Sequence, residues 1–127
     1  GRQAGGDMKT GGISKYYAKG RLKAGALNQS EANYEAYLRA LCQTGDILWF
    51  KFEGIRLILA QGCTYTPDFV VMLKDGTIEL HEVKGSKALF RDDAKVKVKM
   101  AASLFPFRIK VVYPRRKMAG WDEEIFE

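Results

Sequence analysis

Hydrophobic residues fill positions 69–73 and recur through positions 78–83, on either side of an Asp-Gly pair. Short runs of this kind, rich in β-branched and aromatic residues, predict two strands, and the Asp-Gly pair predicts the turn of a β-hairpin. A strand that is apolar on both faces is expected inside a covered sheet. Both faces of this hairpin are apolar, with Phe69, Val71 and Leu73 on one side and Val70, Met72, Ile78 and Leu80 on the other.

The length of the hairpin loop decides which side chains lie opposite each other. A two-residue loop would place Asp68 and Glu82 on opposite faces of the sheet. A three-residue loop, with Gly76 in the left-handed conformation, pairs Leu73 with Thr77 and places Asp68 directly across from Glu82. We predict the three-residue loop.

The rest of the hydrophobic pattern predicts two helices and three further strands around this hairpin. The helices are expected near 28–42 and 94–104, and the strands at 46–52, 55–60 and 107–113. The predicted elements therefore describe a sheet with helices packed against it.

Several residues have expected roles in these elements. Glu53-Gly54 is expected to form the turn between the two middle strands. Trp49 is expected in or near the core. Asp92 is expected to cap the second helix, in which Val98 and Ala101 lie on the buried stripe.

Composition and charge limit the classes of function. At 127 residues the chain is expected to form one domain, and its net charge of +6 with a pI near 9.4 favours a polyanionic partner such as DNA. No apolar run approaches a membrane span and no secretory signal is seen, so a cytoplasmic protein without membrane contacts is expected. Cys42 and Cys63 fit neither a disulfide framework nor a metal site. No phosphate-binding loop or dinucleotide fingerprint occurs, so no nucleotide cofactor is expected.

The charge distribution divides the chain into three parts. Residues 1–25 contain seven glycines and six basic residues, and this composition predicts a flexible basic arm in which Arg21 and Lys23 contact DNA. The first seven residues could equally be vector-derived. Residues 26–117 are expected to form the folded domain. Residues 118–127 form an acidic tail that would dock on its own domain or on a second subunit.

A pair of opposed carboxylates at Asp68 and Glu82 would be suited to a metal ion. Two like charges about 5 Å apart repel by roughly 3 kcal/mol at an effective dielectric of 20, and a divalent cation between them would remove that cost. Lys84 follows Glu82 by two positions and shares its face of the strand. The alternatives are turn chemistry for an Asp after Pro and an exposed ion pair for Glu-x-Lys. The apolar neighbours favour the metal site, because buried carboxylates are costly unless they bind a metal or are hydrogen-bonded.

The sequence Tyr65-Thr66-Pro67-Asp68-Phe69, followed by His81-Glu82-Val83-Lys84-Gly85, resembles the motif of the PD-(D/E)xK nuclease superfamily. It is most similar to small phage-encoded members related to Holliday junction resolvases, from about residue 28 to residue 112. The resemblance implies an α/β (α+β) fold with a restriction-endonuclease-like α-β-β-β-α-β core, in which a central mixed sheet is flanked by helices. It also implies a DNA endonuclease that uses Mg²⁺ or Mn²⁺ on branched or recombination and repair DNA, in the cytoplasm of the phage's host cell.

The resemblance implies a role for each polar residue of the motif. Asp68, Glu82 and the carbonyl of Val83 would hold the metal against the scissile phosphate. Lys84 would orient the attacking water or stabilise charge on the phosphate.

Members of this family usually carry a further acid on the first core helix. Glu31 matches that position best, as a catalytic residue and metal ligand, and Glu35 is the second choice. Glu31 also follows Asn28 by three residues and so fits a capping box, which would explain it without a metal.

Basic residues outside the motif are candidates for DNA contacts, and the alternative for each is an ordinary surface charge. The resemblance places a basic or polar residue on the second helix beside the active site, and Lys97 fits that place. Lys95 and Lys99 are expected to meet backbone phosphates. The remaining candidates are Lys87 in the loop after the motif and, after the last strand, Arg115 and Arg116.

Other functions share these residues. A DNA-binding protein, or a nuclease-fold subunit of a larger complex, would keep the fold without cleaving, and an RNA-processing nuclease would use the same side chains. The intact acids favour a nuclease, because carboxylates that face phosphates do not help a protein that only binds. His81, the only histidine, is expected on the other face, so triad chemistry is not expected. A homodimer is one option, since paired incision of a junction requires two sites.

Overall fold

The computed structural model describes residues 26–127, which form a mixed α+β fold. The predicted basic arm, with Arg21 and Lys23, lies outside the described residues. Neither α-helix in residues 26–127 has the length and apolar content needed to cross a membrane. The elements in chain order are α1 (Gln29–Thr44), β1 (Ile47–Phe52), β2 (Leu57–Ala60), β3 (Cys63–Tyr65), β4 (Phe69–Leu73), β5 (Ile78–Val83), a 3₁₀ turn (Lys87–Leu89), α2 (Asp93–Leu104), β6 (Arg108–Pro114) and β7 (Trp121–Phe126).

Five of these strands form one mixed sheet in the order β1-β4-β5-β6-β7, and β2 and β3 form a separate two-stranded sheet. β5 and β6 are parallel and are connected through α2, as parallel neighbours require a crossover. The other neighbouring strands of the main sheet are antiparallel. β5 is therefore the central strand of the sheet.

The main sheet is covered on both faces, which confirms the two apolar faces predicted for the hairpin. On one face, Tyr34 and Leu38 of α1 belong to the same buried cluster as Phe69 and Val71 of β4. On the other face, α2 and the β2–β3 hairpin pack over Val70 and its neighbours. Each face buries several side chains completely, so the strand pair β4–β5 lies inside the molecule.

The β4–β5 hairpin has the predicted three-residue loop. The Leu73 N–H donates to the Thr77 carbonyl at 2.7 Å, the Gly76 N–H donates to the Leu73 carbonyl at 2.9 Å, and Gly76 has a φ of +89°. Phe69 is paired with His81. The next position along both strands sets residue 68 opposite residue 82, as predicted.

The two middle strands do not pair with each other as predicted. β1 joins the main sheet beside β4, whereas β2 pairs with β3 in the second sheet. Glu53 has a φ of +49°, and the chain leaves the main sheet at this residue instead of returning along β1. The hydrophobic runs were placed correctly, but a run does not indicate which strand will be its partner.

The prediction that Trp49 lies in the core was wrong. β1 is an edge strand with an irregularity between Ile47 and Trp49, and the side chains of Leu48 and Trp49 are 55% and 45% exposed. Trp49 pairs with Met72 and Phe50 with Val71, so these two side chains lie on opposite faces, and Trp49 lies on the α2 face of an edge strand. The neighbouring Phe50 does pack inward, with its ring 6.1 Å from that of Phe69.

The acidic segment predicted as a separate tail is part of the sheet. Residues Trp121–Phe126 form β7, antiparallel to β6. The Trp121 ring packs edge-on against Tyr34 at a centroid distance of 4.9 Å. Of the two docking options, the segment therefore takes the one on its own domain.

The second helix begins where predicted, but Asp92 does not cap it through its side chain. Its φ is +51°, and no side-chain hydrogen bond to the first turn is formed. Its carbonyl instead accepts a hydrogen bond from the Val96 N–H at 2.9 Å. Val98 and Ala101 are fully buried, as the helical stripe predicted.

A chain of buried polar side chains lies on the α1 face of the sheet. His81 Nδ1 is 2.7 Å from the Tyr34 hydroxyl, and its Nε2 is 3.0 Å from Oε1 of Glu79. Arg108 and Lys110 approach the Glu79 carboxylate at 3.4 and 3.6 Å. His81 is thus a packed residue on the face opposite Glu82, as expected. Burial raises the pKa of Glu79, but the His81 hydrogen bond and the charges of Lys110, His81 and Arg108 lower it below its ordinary value.

Glu79→Gln is expected to destabilise the fold by about 1–3 kcal/mol at pH 7, because it removes a buried charged acceptor. Since the folded-state pKa of Glu79 is lowered, its charge stabilises the fold above the unfolded pKa of about 4.3, and this contribution is lost as the pH falls through the folded pKa. Urea unfolding at pH 7 and pH 3 measures the difference between wild type and variant. The difference should shrink at pH 3. A difference of equal size at both pH values would contradict this role. Glu123→Gln is the control, because the exposed Glu123 also pairs with Lys110; this variant should lower the free energy of unfolding by less than about 1 kcal/mol.

Candidate active site

Four segments of the chain meet at one edge of the main sheet. β4 begins there directly after Asp68, and antiparallel β5 ends there at Val83. β6 is parallel to β5 and ends at the same edge, where the Lys84 N–H donates to the Val112 carbonyl at 3.0 Å. The first turn of α1 also lies there, because Glu31 interacts with Asp68. The topology thus brings together residues that are far apart in the sequence.

Asp68 is held by the backbone on both sides. The Val83 N–H donates to its Oδ2 at 2.8 Å, and the Glu53 N–H donates to its backbone carbonyl at 2.7 Å. The residue is only 7% exposed. These contacts fix one carboxylate oxygen and the main chain at the start of β4.

Glu82 is held by two side chains, one at each carboxylate oxygen. The Tyr65 hydroxyl donates to Oε1 at 2.9 Å. The Lys84 ammonium lies 3.5 Å from Oε2, which confirms that the two side chains share a face. Glu82 is 9% exposed, so this pair is largely shielded from water.

Burial and mutual repulsion disfavour the charged forms of both carboxyls. Burial, followed by the charges of Glu82 and Glu31, raises the pKa of Asp68 well above its ordinary value. Burial also raises the pKa of Glu82, and Lys84 and the Tyr65 hydrogen bond offset only part of that rise. The fold alone therefore leaves the charges of these two carboxyls incompletely compensated, and a proton or a cation would supply the missing compensation.

Glu31 caps the first helix and also interacts with Asp68. Its Oε1 accepts the Asn28 N–H at 3.0 Å and the Asn28 side chain accepts the Glu31 N–H at 2.8 Å, which completes a capping box. Its charge and a side-chain hydrogen bond raise the pKa of Asp68. A carboxylate has two oxygens, so capping and contact with Asp68 are compatible. Glu35, the second choice for the helix acid, instead pairs with Arg39 at 3.3 Å. We call Glu31, Asp68 and Glu82 together the carboxylate cluster.

No protein-family model, curated protein or solved structure matches this chain. The interpretation of the site therefore depends on the geometry of the carboxylate cluster and on the chemistry of its side chains.

The carboxylate cluster offers oxygen ligands, which suit Mg²⁺ and Mn²⁺. Within residues 26–127, no three or more His, Cys, Asp or Glu side chains are arranged so that together they could hold a metal ion. Mg²⁺, however, is commonly bound by one or two carboxylates and fills its remaining positions with waters and phosphate oxygens. Asp68 and Glu82 fit that pattern. Of the other predicted ligands, Glu31 interacts with Asp68 and Val83 directly follows Glu82 in β5. Coordination by Glu31 or by the Val83 carbonyl remains a prediction.

The candidate DNA-binding lysines near α2 lie at increasing distances from the site along the chain. Lys87 is exposed in the 3₁₀ turn just after Lys84. α2 then runs from this edge toward the opposite one, so Lys95 lies about 6 Å closer to the site along the helix axis than Lys99. Lys97 is half-buried beside the buried stripe, and Lys95 lies 5.6 Å from the centre of the Phe90 ring.

The basic cluster after β6 lies at the same edge of the sheet as the site. Arg115 Nε is 3.3 Å from Oδ1 of Asp122, so part of its charge is already paired within the domain. Arg116 is exposed. Of the two, Arg116 is therefore the better placed to meet a phosphate.

Sequence reasoning missed two residues that contact the site, Tyr65 and Glu53. Tyr65 stands within the motif, but its role depends on β3 crossing above Glu82, and the pairing of β2 with β3 was not foreseen. Glu53 was assigned to a turn. Its positive φ, which is rare for a residue other than glycine, can be read only from the structure.

Proposed function

We propose that this protein is a Mg²⁺-dependent endodeoxyribonuclease that hydrolyses phosphodiester bonds in branched or recombination and repair DNA of a phage. The observation that carries the proposal is the buried pair of Asp68 and Glu82 with Lys84 beside it at one edge of the sheet. Buried acids of like charge destabilise a fold unless a cation or a proton compensates them. A divalent cation would compensate both.

The order of the elements supports a restriction-endonuclease-like core. α1, β1, β4, β5, α2 and β6 follow one another in the order α-β-β-β-α-β. The β2–β3 hairpin would be an insertion after the first core strand, and β7 would extend the sheet at its edge. In this arrangement Asp68 lies directly before the second core strand, β4, and Glu82 lies near the end of the third, β5.

Each residue of the site has its own role in the proposed reaction. Asp68 and Glu82 would hold the cation, because each carboxylate has lone pairs beyond those used by the Val83 N–H, the Tyr65 hydroxyl and Lys84. A bound Mg²⁺ supplies a Lewis acid for the phosphoryl oxygen and lowers the pKa of a bound water. Lys84 stabilises the negative charge that develops on the phosphate in the transition state, because its ammonium lies beside the ligands. Glu31 adds negative charge next to Asp68 and so strengthens the attraction for a cation.

The distribution of positive charge supports DNA as the partner. The net charge of the chain is +6, although the site itself is acidic. Lys87 and Arg116 lie at the same edge of the sheet as the carboxylate cluster, and the α2 lysines continue away from it. These residues would hold phosphates along a DNA backbone that passes the site. Such contacts position the backbone without reading bases.

The test is a set of labelled substrates: duplex, single-stranded, flap and four-way-junction DNA, together with duplex RNA. Each is incubated with the protein in Mg²⁺, Mn²⁺ or EDTA, and binding is followed in parallel by gel shift. We expect cleavage of DNA in both metals and none in EDTA. Tight binding without cleavage would identify a DNA-binding protein instead, and cleavage of RNA alone would identify a ribonuclease.

A further inference from the structure

The β2–β3 hairpin places a tyrosine hydroxyl on the central strand of the main sheet. Tyr65 lies at the end of β3, where it pairs with Leu57. Its ring is packed in the cluster on the α2 face and is 7% exposed. From there its hydroxyl reaches Oε1 of Glu82 at 2.9 Å.

This contact restrains a side chain that would otherwise have little reason to stay in place. A glutamate has three rotatable side-chain bonds. The charges of Asp68 and Glu31 repel Glu82 from the site, since both are acids of the same cluster. The remaining partner is Lys84, at a longer 3.5 Å and with a quarter of its side chain exposed. The Tyr65 hydroxyl is therefore the shorter and better buried of the two restraints.

We propose that Tyr65 is a positioning residue that holds the Glu82 carboxylate in the orientation required to bind a divalent cation, an inference that rests on the proposed function. The Tyr65 hydroxyl donates its hydrogen bond to Oε1 from the side on which the β2–β3 hairpin packs. The other lone pairs of the carboxylate would then be available to a cation shared with Asp68. The hairpin thus contributes to the site although none of its residues belongs to the carboxylate cluster.

Tyr65→Phe tests this proposal because it removes the hydroxyl and keeps the ring in the core. Thermal unfolding of the 127-residue chain is recorded as Mg²⁺ or Mn²⁺ is titrated, and the cation concentration for half-maximal stabilisation is compared with that of wild type. Partners that orient metal ligands typically contribute about 10–100-fold to metal affinity. We expect the half-maximal concentration to rise about tenfold or more in the variant.

Tyr113→Phe is the matched control. The Tyr113 hydroxyl donates to Oε1 of Glu124 at 2.8 Å, and the residue is 6% exposed, so the variant loses a similar bond outside the carboxylate cluster. It should unfold at a lower temperature but keep the cation dependence of wild type. If Tyr65→Phe behaves in the same way, Tyr65 only stabilises the fold and the proposal is overturned.

Two further outcomes separate this inference from the proposed function. If wild type shows no stabilisation by either cation, the proposed function fails and the role of Tyr65 fails with it. If wild type is stabilised and cleaves, but Tyr65→Phe requires no more cation than wild type for either effect, only the role of Tyr65 fails. Cleavage by Tyr65→Phe that returns to the wild-type rate at high Mg²⁺ would support positioning, because excess cation compensates for weakened binding.

Discussion

Replacing Asp68 by asparagine is expected to stabilise the metal-free protein at neutral pH and, at the same time, to abolish its cleavage of DNA. Asparagine keeps an oxygen for the Val83 N–H, which donates to Asp68 at 2.8 Å in the wild type. It removes the charge that faces Glu82 and Glu31, and two charges at about 5 Å repel by roughly 3 kcal/mol at an effective dielectric of 20. A gain of about 1–3 kcal/mol is therefore expected in EDTA. Cleavage should fall by about 10³-fold or more, because a proposed ligand of the metal is lost.

The gain in stability has a definite pH dependence. The folded-state pKa of Asp68 is raised, so its protonated form is favoured in the fold. The stability associated with that form is fully present below the unfolded pKa of about 3.9 and is lost as the pH rises through the folded pKa. The variant should therefore exceed wild type most at neutral pH, and the difference should disappear near pH 3. Urea unfolding in EDTA across this range measures it.

Glu35→Gln is the control for Asp68→Asn. Glu35 lies on the same helix as Glu31 but pairs with Arg39, so its loss should leave both cleavage and metal-free stability nearly unchanged. A loss of cleavage in Asp68→Asn that comes with a loss of stability would indicate a damaged fold rather than a missing ligand. Equal stability of wild type and Asp68→Asn at all pH values would contradict the repulsion inferred for the carboxylate cluster.

Lys84→Met is expected to reduce cleavage by about 10²–10³-fold while cation binding is kept. The variant removes a preorganised positive charge of the kind that stabilises transition states by this factor. The ammonium also lies 3.5 Å from Glu82, where it competes with a cation for the carboxylate. Stabilisation by Mg²⁺ should therefore be as strong as in wild type or stronger. Single-turnover cleavage and thermal unfolding in Mg²⁺ measure the two effects separately.

Lys74→Met is the matched control, because Lys74 is exposed in the β4–β5 loop at the opposite edge of the sheet. It should cleave at the wild-type rate. Loss of both cleavage and Mg²⁺ stabilisation in Lys84→Met would mean that the lysine maintains the site rather than acting on the phosphate. An unchanged cleavage rate would remove Lys84 from the mechanism.

The central hairpin could be predicted from the sequence because its information is local. The Asp75-Gly76 turn limits the loop to a few lengths, and each length gives a single register. Since a shift of one residue would reverse every side chain, the apolar residues on both faces also restrict the choice. That register alone predicts that Asp68 lies opposite Glu82.

The partners of the other strands could not be predicted, because they depend on contacts far apart in the sequence. β2 is as apolar as β1, yet β1 pairs with β4 and β2 with β3. The sequence of the acidic strand β7 shows no alternation of apolar and polar residues. Its pairing with β6 adds an edge strand on which Asp122 and Glu123 remain exposed. Trp49 is exposed on β1, and the place of β1 at the edge of the sheet also depends on strand pairing that the sequence does not show.

The site was predictable in its acids and lysine but not in the side chains that support them. Asp68, Glu82 and Lys84 belong to two adjacent strands. The Tyr65 hydroxyl reaches Glu82 from a separate sheet, and Glu31 reaches Asp68 from the first turn of α1. For Glu31, the capping box and the interaction with Asp68 were treated as alternatives, whereas the side chain has one oxygen for the cap and a second that the cap does not use.

Single-turnover cleavage of a labelled four-way junction during a Mg²⁺ titration tests the central claim most directly. Wild type and Asp68→Asn are purified in parallel, so that a contaminating nuclease would appear in both. We predict no wild-type cleavage in EDTA, a wild-type rate that rises with Mg²⁺ and saturates, and a rate for Asp68→Asn that is lower by about 10³-fold or more at every Mg²⁺ concentration. Cleavage by wild type in EDTA, equal cleavage by the two proteins, or no cleavage by wild type of a junction that it binds would contradict the account.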